Sequence, residues 1–192
     1  MPEKFDAIKR QLAAERRSLP AAWRRQPVHT VYGGAQLFRP DIIRKLGGVA
    51  RRSLETYAPD ALALARAMGV DSAAEVMEQV YRRVWAKLSH EPVEDFRIDF
   101  EDGYGARAGA EEDFHAAEAA RHTLTAMAEG ALPPFFGIRI KPLSAESEDR
   151  ALRTLDIFLS RLGGSLPRNF VVTLPKAASP AEPRALAAAL DI

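Results

Sequence analysis

The sequence predicts an α/β fold built on a parallel β-sheet. Three β-branched or aromatic runs, at 96–100, 135–140 and 170–174, are each followed by a segment with helical spacing of apolar residues. Strands that alternate with helices in this way are typical of a parallel sheet with right-handed crossovers. The 192 residues suffice for one well-packed domain, and 47% hydrophobic with 28% charged residues is an ordinary globular composition.

One more strand is predicted among helices in the first ninety residues. Residues 3–17 have the apolar spacing of a helix, and 28–32 form a β-branched and aromatic run that ends at Gly33 and Gly34. The two glycines allow either a plain turn or a close approach of the backbone to a ligand. Residues 41–90 are mostly helical in pattern, which exceeds the needs of one crossover, and we interpret them as a helical insertion after the first strand.

Local signals divide this insertion into three helices. Gly47 and Gly48 are expected to kink or interrupt the first helix, and Gly69 is expected to end the second. The spacing of Ser72 and Glu75 predicts a capping box at the start of the third.

Helices are predicted after each of the three later strands. The segments near 110–129 and 147–162 carry apolar residues at helical spacing. Pro180, between Ser179 and Glu182, predicts a capped start of the last helix. The chain is therefore predicted to contain four consecutive βα units.

Charge balance and residue usage exclude several classes of protein. Lys plus Arg number 27 and Asp plus Glu number 26, and the net charge of +1 argues against a nucleic-acid partner. Cysteine is absent, which excludes a disulfide framework, a thiolate zinc site and a cysteine nucleophile, and agrees with a cytoplasmic location. No apolar run approaches the ~20 residues that a membrane-spanning helix needs, so we expect no membrane partner.

An acidic loop after the second strand carries a strong functional signal. Strand alternation places Arg97, Asp99 and Glu101 on one face, and Asp102 follows at the turn. Charges at the end of a buried strand are costly unless they are paired. The loop is either a ligand or metal site around the three acids, or an ordinary acidic turn that leads into the next helix.

Arg139, inside the third strand, is the strongest single-residue signal. Lys141 is expected on the same strand face, and Lys176 lies at the tip of the fourth strand. Because arginine keeps its proton, a buried one needs an anionic partner. Arg139 is therefore an ion-pair partner of Asp99 or Glu101, a clamp for a substrate carboxylate or phosphate, or both. We favour the clamp, since acids and basic residues converge at the carboxyl end of one sheet.

The order of these motifs resembles the HpcH/HpaI aldolase and citrate lyase β-subunit family. After a strand that ends in Gly-Gly come Asp99-Phe100-Glu101-Asp102, Arg139-Ile140-Lys141 and Leu174-Pro175-Lys176. The family typically has D-L-E-D, R-x-N-like and L-P-K motifs in this order. The resemblance implies a (β/α)8 TIM barrel of the pyruvate/phosphoenolpyruvate kinase-like superfamily, of which this chain carries about the first four βα units.

The residue pattern, together with the resemblance, divides the chain into two parts. Residues 1–27 would form an N-terminal helix and connector. Residues 28–192 would form the partial barrel, with the helical insertion at about 41–90.

A carbon–carbon lyase is the enzyme class that the resemblance implies. Such an enzyme would cleave or form a bond in a 2-oxo acid or acyl-CoA through an enolate stabilised by Mg²⁺, or by Mn²⁺ in its place. Arg139, Glu101 and Asp102 would be the catalytic residues. Arg139 would bind the carboxylate or stabilise the enolate, and the two acids would order metal-bound water or orient Arg139.

Contacts with the small carboxylate or acyl-CoA substrate follow from the same resemblance. They are expected from Arg139, from Lys176 and from backbone amides near Gly33 and Gly34. Supporting roles fall to Asp99 and to Lys141, the latter standing where the family has an asparagine-like residue.

The usual metal-ligating Glu and Asp of that family come from its fifth and sixth strands. The metal ligands are therefore expected beyond Ile192, and the chain is expected to be a fragment of a longer protein that is homo-oligomeric at full length.

Two alternatives to the lyase stay open. One is a phosphoenolpyruvate- or pyruvate-related phosphotransferase, which the lack of a nucleotide-binding loop disfavours. The other is a non-catalytic carboxylate-binding α/β module.

Overall fold

Four strands form one parallel sheet in a computed structural model that describes residues 5–10, 13 and 25–192. The strands are β1 (Val31–Gly34), β2 (Asp95–Asp99), β3 (Phe135–Arg139) and β4 (Phe170–Thr173). Each strand pairs with the next one in sequence, in the order β1-β2-β3-β4. The predicted α/β class and parallel sheet are confirmed.

Six α-helices connect and follow these strands between residues 25 and 192. Three lie between β1 and β2: α1 (Ile42–Tyr57), α2 (Ala61–Met68) and α3 (Ala74–His90). The others follow β2, β3 and β4 in turn: α4 (Gly109–Ala128), α5 (Glu148–Leu162) and α6 (Ala181–Leu190). Residues 6–10 are also helical, and most of the helix predicted over 3–17 lies outside the described residues. None of the helices described is long and apolar enough to cross a membrane.

Strand β1 begins at Val31, three residues later than the run at 28–32 predicts. Residues before it are held by side chains of the neighbouring segment, since the Val28 N–H donates to the Glu94 carboxylate at 2.7 Å. Gly33 and Gly34 are part of the strand rather than a turn after it. A Cβ at Gly33 would lie 2.6 Å from the ring of Phe96, so close packing explains the glycine there.

The first helix of the insertion is continuous. α1 runs through Gly47 and Gly48 as one helix, so the predicted interruption is wrong. Gly47 instead lets the helix approach Pro92, because a Cβ at this position would lie 2.6 Å from the proline ring. Glycine serves here for packing between segments.

The boundaries of the next two helices agree with prediction in part. Gly69 ends α2 in the left-handed conformation, with φ of 63°, as predicted. The capping box predicted from Ser72 and Glu75 is absent, because α3 begins at Ala74 after Ala73, which offers no side-chain cap.

The apolar face of the sheet packs against helices. Side chains alternate along β2 and β3, and this alternation buries Phe96, Ile98, Phe136 and Ile138 on the apolar face. On α4, small residues contribute to this core; they are Ala116, Ala119 and Ala120, each at most 1% exposed. The core therefore lies between the sheet and the helices that follow its strands.

The opposite face of β2 carries charge. Asp95, Arg97 and Asp99 alternate with the apolar residues, and every residue of this strand is buried. Nη2 of Arg97 donates to Oδ2 of Asp95 at 2.8 Å, and the guanidinium lies across Gly137 of the next strand. The charged residues of this face thus extend along β2 to its carboxyl end at Asp99.

Replacing Gly137 by alanine is expected to destabilise the fold by about 1–3 kcal/mol. A Cβ there would overlap the carbonyl oxygen of Val171 and the guanidinium of Arg97. The urea midpoint of unfolding measures the loss. Gly48→Ala is the matched control, because its Cβ would come no closer than 3.5 Å to Arg52, and helix propensity predicts a gain of roughly 0.5–1 kcal/mol. Equal midpoints for the two variants would contradict the prediction.

Candidate functional site

Arg139 and Asp99 form a bidentate ion pair at the carboxyl edge of the sheet. They face each other in the register of β2 and β3. Nε of Arg139 donates to Oδ1 of Asp99 at 2.8 Å, and Nη2 donates to Oδ2 at 2.6 Å. Asp99 is fully buried, whereas the Arg139 side chain is 17% exposed. The ion pair that the sequence offered as one role of Arg139 is present.

Asp99 also ties the acidic loop to the end of its own strand. Its carboxylate accepts hydrogen bonds from the amides of Glu101, at 2.9 Å, and Gly103, at 2.7 Å. Burial by itself would raise the pKa of Asp99, but the hydrogen bonds from Arg139 and these amides outweigh it and hold the pKa below its ordinary value. A charged Asp99 therefore fixes both Arg139 and the loop.

Lys176 reaches across from the end of β4 to the same loop. Its ammonium donates to the carboxylates of Glu101 and Asp102, with 2.9 Å to Oδ1 of Asp102. These hydrogen bonds raise the pKa of Lys176, so the side chain stays protonated. Its backbone φ of 52° is unusual for a residue with a side chain. The predicted convergence of acids and basic residues at one edge is thus observed.

The outer nitrogen of Arg139 completes this charged edge. Nη1 lies 3.4 Å from Oε2 of Glu101 and 3.7 Å from Oδ2 of Asp102, longer than a good hydrogen bond. The side chain of Glu101 is 7% exposed and that of Asp102 is 62% exposed. Three carboxylates and two cations leave the edge with one net negative charge. We call these five residues, Asp99, Glu101, Asp102, Arg139 and Lys176, the edge cluster.

Tyr32 covers the guanidinium of Arg139, which sequence reasoning did not foresee. Cζ of Arg139 lies 4.4 Å from the centre of the Tyr32 ring, a cation–π distance, and the tyrosine is 44% exposed. The alternation of β1 could have indicated it, because Tyr32 lies opposite Arg97 on the charged face of the sheet. Tyr32 thus restricts the orientation of Arg139 from a third strand.

The predicted glycines divide between the two faces of β1. Gly33 lies against Phe96 on the core side. A Cβ at Gly34 would overlap the carbonyl oxygen of Gly103, so this glycine lets the acidic loop approach the strand. Substrate contact by their amides stays a prediction.

Lys141 does not join the edge cluster. Its ammonium donates to the carbonyl oxygen of Phe100 at 2.6 Å and lies 3.1 Å from Oε2 of Glu112 on α4. The predicted shared face with Arg139 is wrong, because the Lys141 ammonium, two residues beyond the end of β3, lies with Phe100 and Glu112 rather than with Asp99. Its supporting role in a site stays a prediction.

The acids of the edge cluster are not by themselves a metal centre. Within residues 5–10, 13 and 25–192, no group of three or more His, Cys, Asp or Glu side chains is arranged to hold a metal ion. Asp99 is engaged by Arg139 and two amides, while Glu101 and Asp102 share Lys176. The ligand set that the resemblance implies is incomplete in this part of the chain, and Mg²⁺ or Mn²⁺ stays a prediction.

Fold and site together define an α/β protein whose parallel sheet carries a fixed arginine–carboxylate cluster at its carboxyl end, where α/β folds build their sites. A family model matches residues 9–192, and the chain therefore belongs to that family, a domain of unknown function (DUF6986). Searches of curated proteins and of solved structures gave no match.

Proposed function

We propose that this chain is part of a carbon–carbon lyase of the aldolase and citrate lyase type, acting on a 2-oxo acid or acyl-CoA through an enolate. The observation that carries the proposal is the bidentate hold of Asp99 on Arg139 at the carboxyl edge of a parallel sheet. A guanidinium fixed in this way is preorganised to bind an anion that develops during a reaction.

The order of the strands supports a (β/α)8 barrel as the framework. A doubly wound sheet reverses its strand order at a switch point and carries helices on both faces. Here the order is sequential, and α4 packs against α5 beside the apolar face of the sheet. The charged face that carries Asp95, Arg97 and Asp99 would line the interior of the proposed barrel, to which residues 25–192 would contribute four of the eight strands.

Arg139 has donors to spare for a substrate. Nε and Nη2 serve Asp99, whereas Nη1 makes only long contacts with Glu101 and Asp102. Nη1 could therefore donate to a substrate carboxylate or enolate oxygen without breaking the bidentate pair. When bound, Mg²⁺ would act as a Lewis acid on the same kind of oxygen.

Lys176 offers a second cationic group beside Arg139. Glu101 and Asp102 use two of its three donors, and 60% of its side chain is exposed. Because the edge cluster has a net negative charge, its overall electrostatic field does not favour the binding of an anionic substrate. Directional hydrogen bonds from Arg139 and Lys176 would therefore select it.

Turnover of candidate substrates tests the proposal. Protein of full natural length is expected to convert at least one member of a panel of oxaloacetate, pyruvate-derived aldols and acyl-CoA esters, with activity that requires Mg²⁺ and is abolished by EDTA. Products are identified by mass spectrometry. No conversion of any member would contradict the lyase. Binding of the carboxylate probe oxalate without turnover would favour the non-catalytic carboxylate-binding module.

A further inference from the structure

A second charged group lies beneath the acidic loop, on the helix side of the sheet. Glu112 of α4 is 1% exposed, and its Oε1 accepts a hydrogen bond from the hydroxyl of Thr154 on α5 at 2.8 Å. Its Oε2 lies 3.1 Å from the ammonium of Lys141. Both oxygens of this buried carboxylate are therefore used inside the protein, on the far side of the sheet from Arg139.

The peptide unit of Phe100 connects this buried group to the edge cluster. The Phe100 N–H donates to the carbonyl oxygen of Arg139 at 2.9 Å. Its carbonyl oxygen accepts from the ammonium of Lys141 at 2.6 Å. Phe100 directly follows Asp99 and precedes Glu101, so fixing its peptide fixes the point where the acidic loop leaves the strand.

Tyr104 holds the other end of the same loop. Its ring lies 5.1 Å from the Lys141 ammonium and 4.7 Å from the guanidinium carbon of Arg107. Its hydroxyl hydrogen-bonds Nδ1 of His115 at 2.8 Å. Burial, together with Glu112, raises the pKa of Tyr104 to about 12, so the hydroxyl keeps its proton. Lys141 thus contacts both ends of the loop.

We propose that Glu112 and Lys141 are positioning residues of the edge cluster: Glu112 holds the Lys141 ammonium, and Lys141 holds the loop that carries Glu101 and Asp102. Neither side chain contacts Arg139 or the predicted substrate edge. Their effect passes through the Phe100 peptide to the amides that donate to Asp99, and through Asp99 to Arg139.

The chemistry of the pair supports this role over simple core packing. A buried ion pair is weak as a source of stability, because apolar residues of similar size often replace it without loss. An apolar side chain at position 141 could not donate to the carbonyl oxygen of Phe100. The directional hydrogen bond is the property that requires the ammonium, and the ammonium in turn requires Glu112.

Hydrogen exchange measured by NMR tests the proposal. The double variant Glu112→Gln/Lys141→Met removes the ammonium without leaving a lone buried charge. Exchange of the Glu101 and Gly103 amides is expected to accelerate by about tenfold or more, because exchange follows local opening. The Nε–H signal of Arg139 is expected to lose protection as well. The amide of Ile138, in the middle of β3, is expected to keep its rate.

Asp113→Asn provides the matched control. Asp113 pairs with Arg150 and Arg153 between α4 and α5, one residue from Glu112, but does not contact the loop. This variant is expected to leave the loop amides and the Arg139 signal unchanged. Equal acceleration in the control, or acceleration at Ile138 to the same extent as at Gly103, would overturn the positioning role, as would unchanged exchange in the double variant.

A milder change keeps the test decisive if the double variant fails to fold. Thr154→Val removes one hydrogen bond from Glu112, and a smaller acceleration is expected at the same loop amides. No acceleration at those amides would overturn the proposal. Its relevance to catalysis rests on the proposed function, but the exchange measurements need no substrate, so the positioning role and the lyase activity can fail separately.

Discussion

Replacing Arg139 by methionine is expected to lower kcat/KM for the Mg²⁺-dependent reaction by about 10²- to 10³-fold, the usual effect of losing a preorganised donor to a developing anion. The variant removes both the bidentate hold of Asp99 and the outer nitrogen that faces the edge. The loss is expected mainly in kcat, because an enolate carries more negative charge on its oxygen than the substrate does. Steady-state kinetics on the natural-length protein measure it.

Arg139→Lys separates geometry from charge. Lysine keeps the positive charge but cannot make the two-point contact with Asp99, so most of the activity is expected to be lost here as well. Circular dichroism must show both variants folded at the assay temperature. A folded Arg139→Met protein with unchanged kcat/KM would remove Arg139 from the reaction.

Asp99→Ala is expected to lower the free energy of unfolding by about 3–5 kcal/mol, because it leaves a partly buried arginine without its main partner. Asp113→Ala is the control, since its partner Arg153 is 60% exposed, and it is expected to cost about 1 kcal/mol or less. Urea titration compares the two. Similar losses would mean that the Asp99 pair is no more than a surface ion pair.

The pKa of Asp99 adds a pH dependence to the same prediction. Because the pKa is lowered in the folded protein, the stabilisation is present above the ordinary value of 3.8 and is lost as the pH falls through the lower folded value. The stability gap between wild type and Asp99→Asn is therefore expected to be largest near neutral pH and to narrow below about pH 4. A gap independent of pH would contradict the assigned pairing.

Sequence periodicity was sufficient to predict the sheet and to offer Asp99 or Glu101 as the ion-pair partner of Arg139, although the substrate clamp was the favoured role. Both inferences depend on local alternation and on neighbouring strands being parallel, which bring residues at equivalent strand positions together. They needed no knowledge of how the helices pack. The start of β1 was harder to predict from the sequence. Glu94 and Asp95, which lie far away in the sequence, hold the residues just before this strand, and the ladder to β2 begins only after them.

Residues that act through tertiary contacts could not be predicted in this way. Tyr32 lies over Arg139 only because β1 occupies its observed register. In the sequence, Glu112 has no feature that distinguishes it from other acidic residues near the start of a helix. Its burial and its partners depend on the packing of α5 and Lys141 against it. Lys141 was placed with Arg139 because alternation alone could not predict that Glu112 of α4 and the carbonyl oxygen of Phe100 would hold its ammonium.

Deuterium uptake into the methyl group of pyruvate, followed by ¹H NMR in D₂O, tests the central claim most directly, because it reports enolate formation without requiring the natural second substrate. The natural-length protein with Mg²⁺ is expected to exchange the methyl protons faster than the buffer does, and EDTA or Arg139→Met is expected to return the rate to that of the buffer. Exchange at the buffer rate with wild-type protein that binds pyruvate, or undiminished exchange with a folded Arg139→Met variant, would contradict enolate stabilisation by the edge cluster.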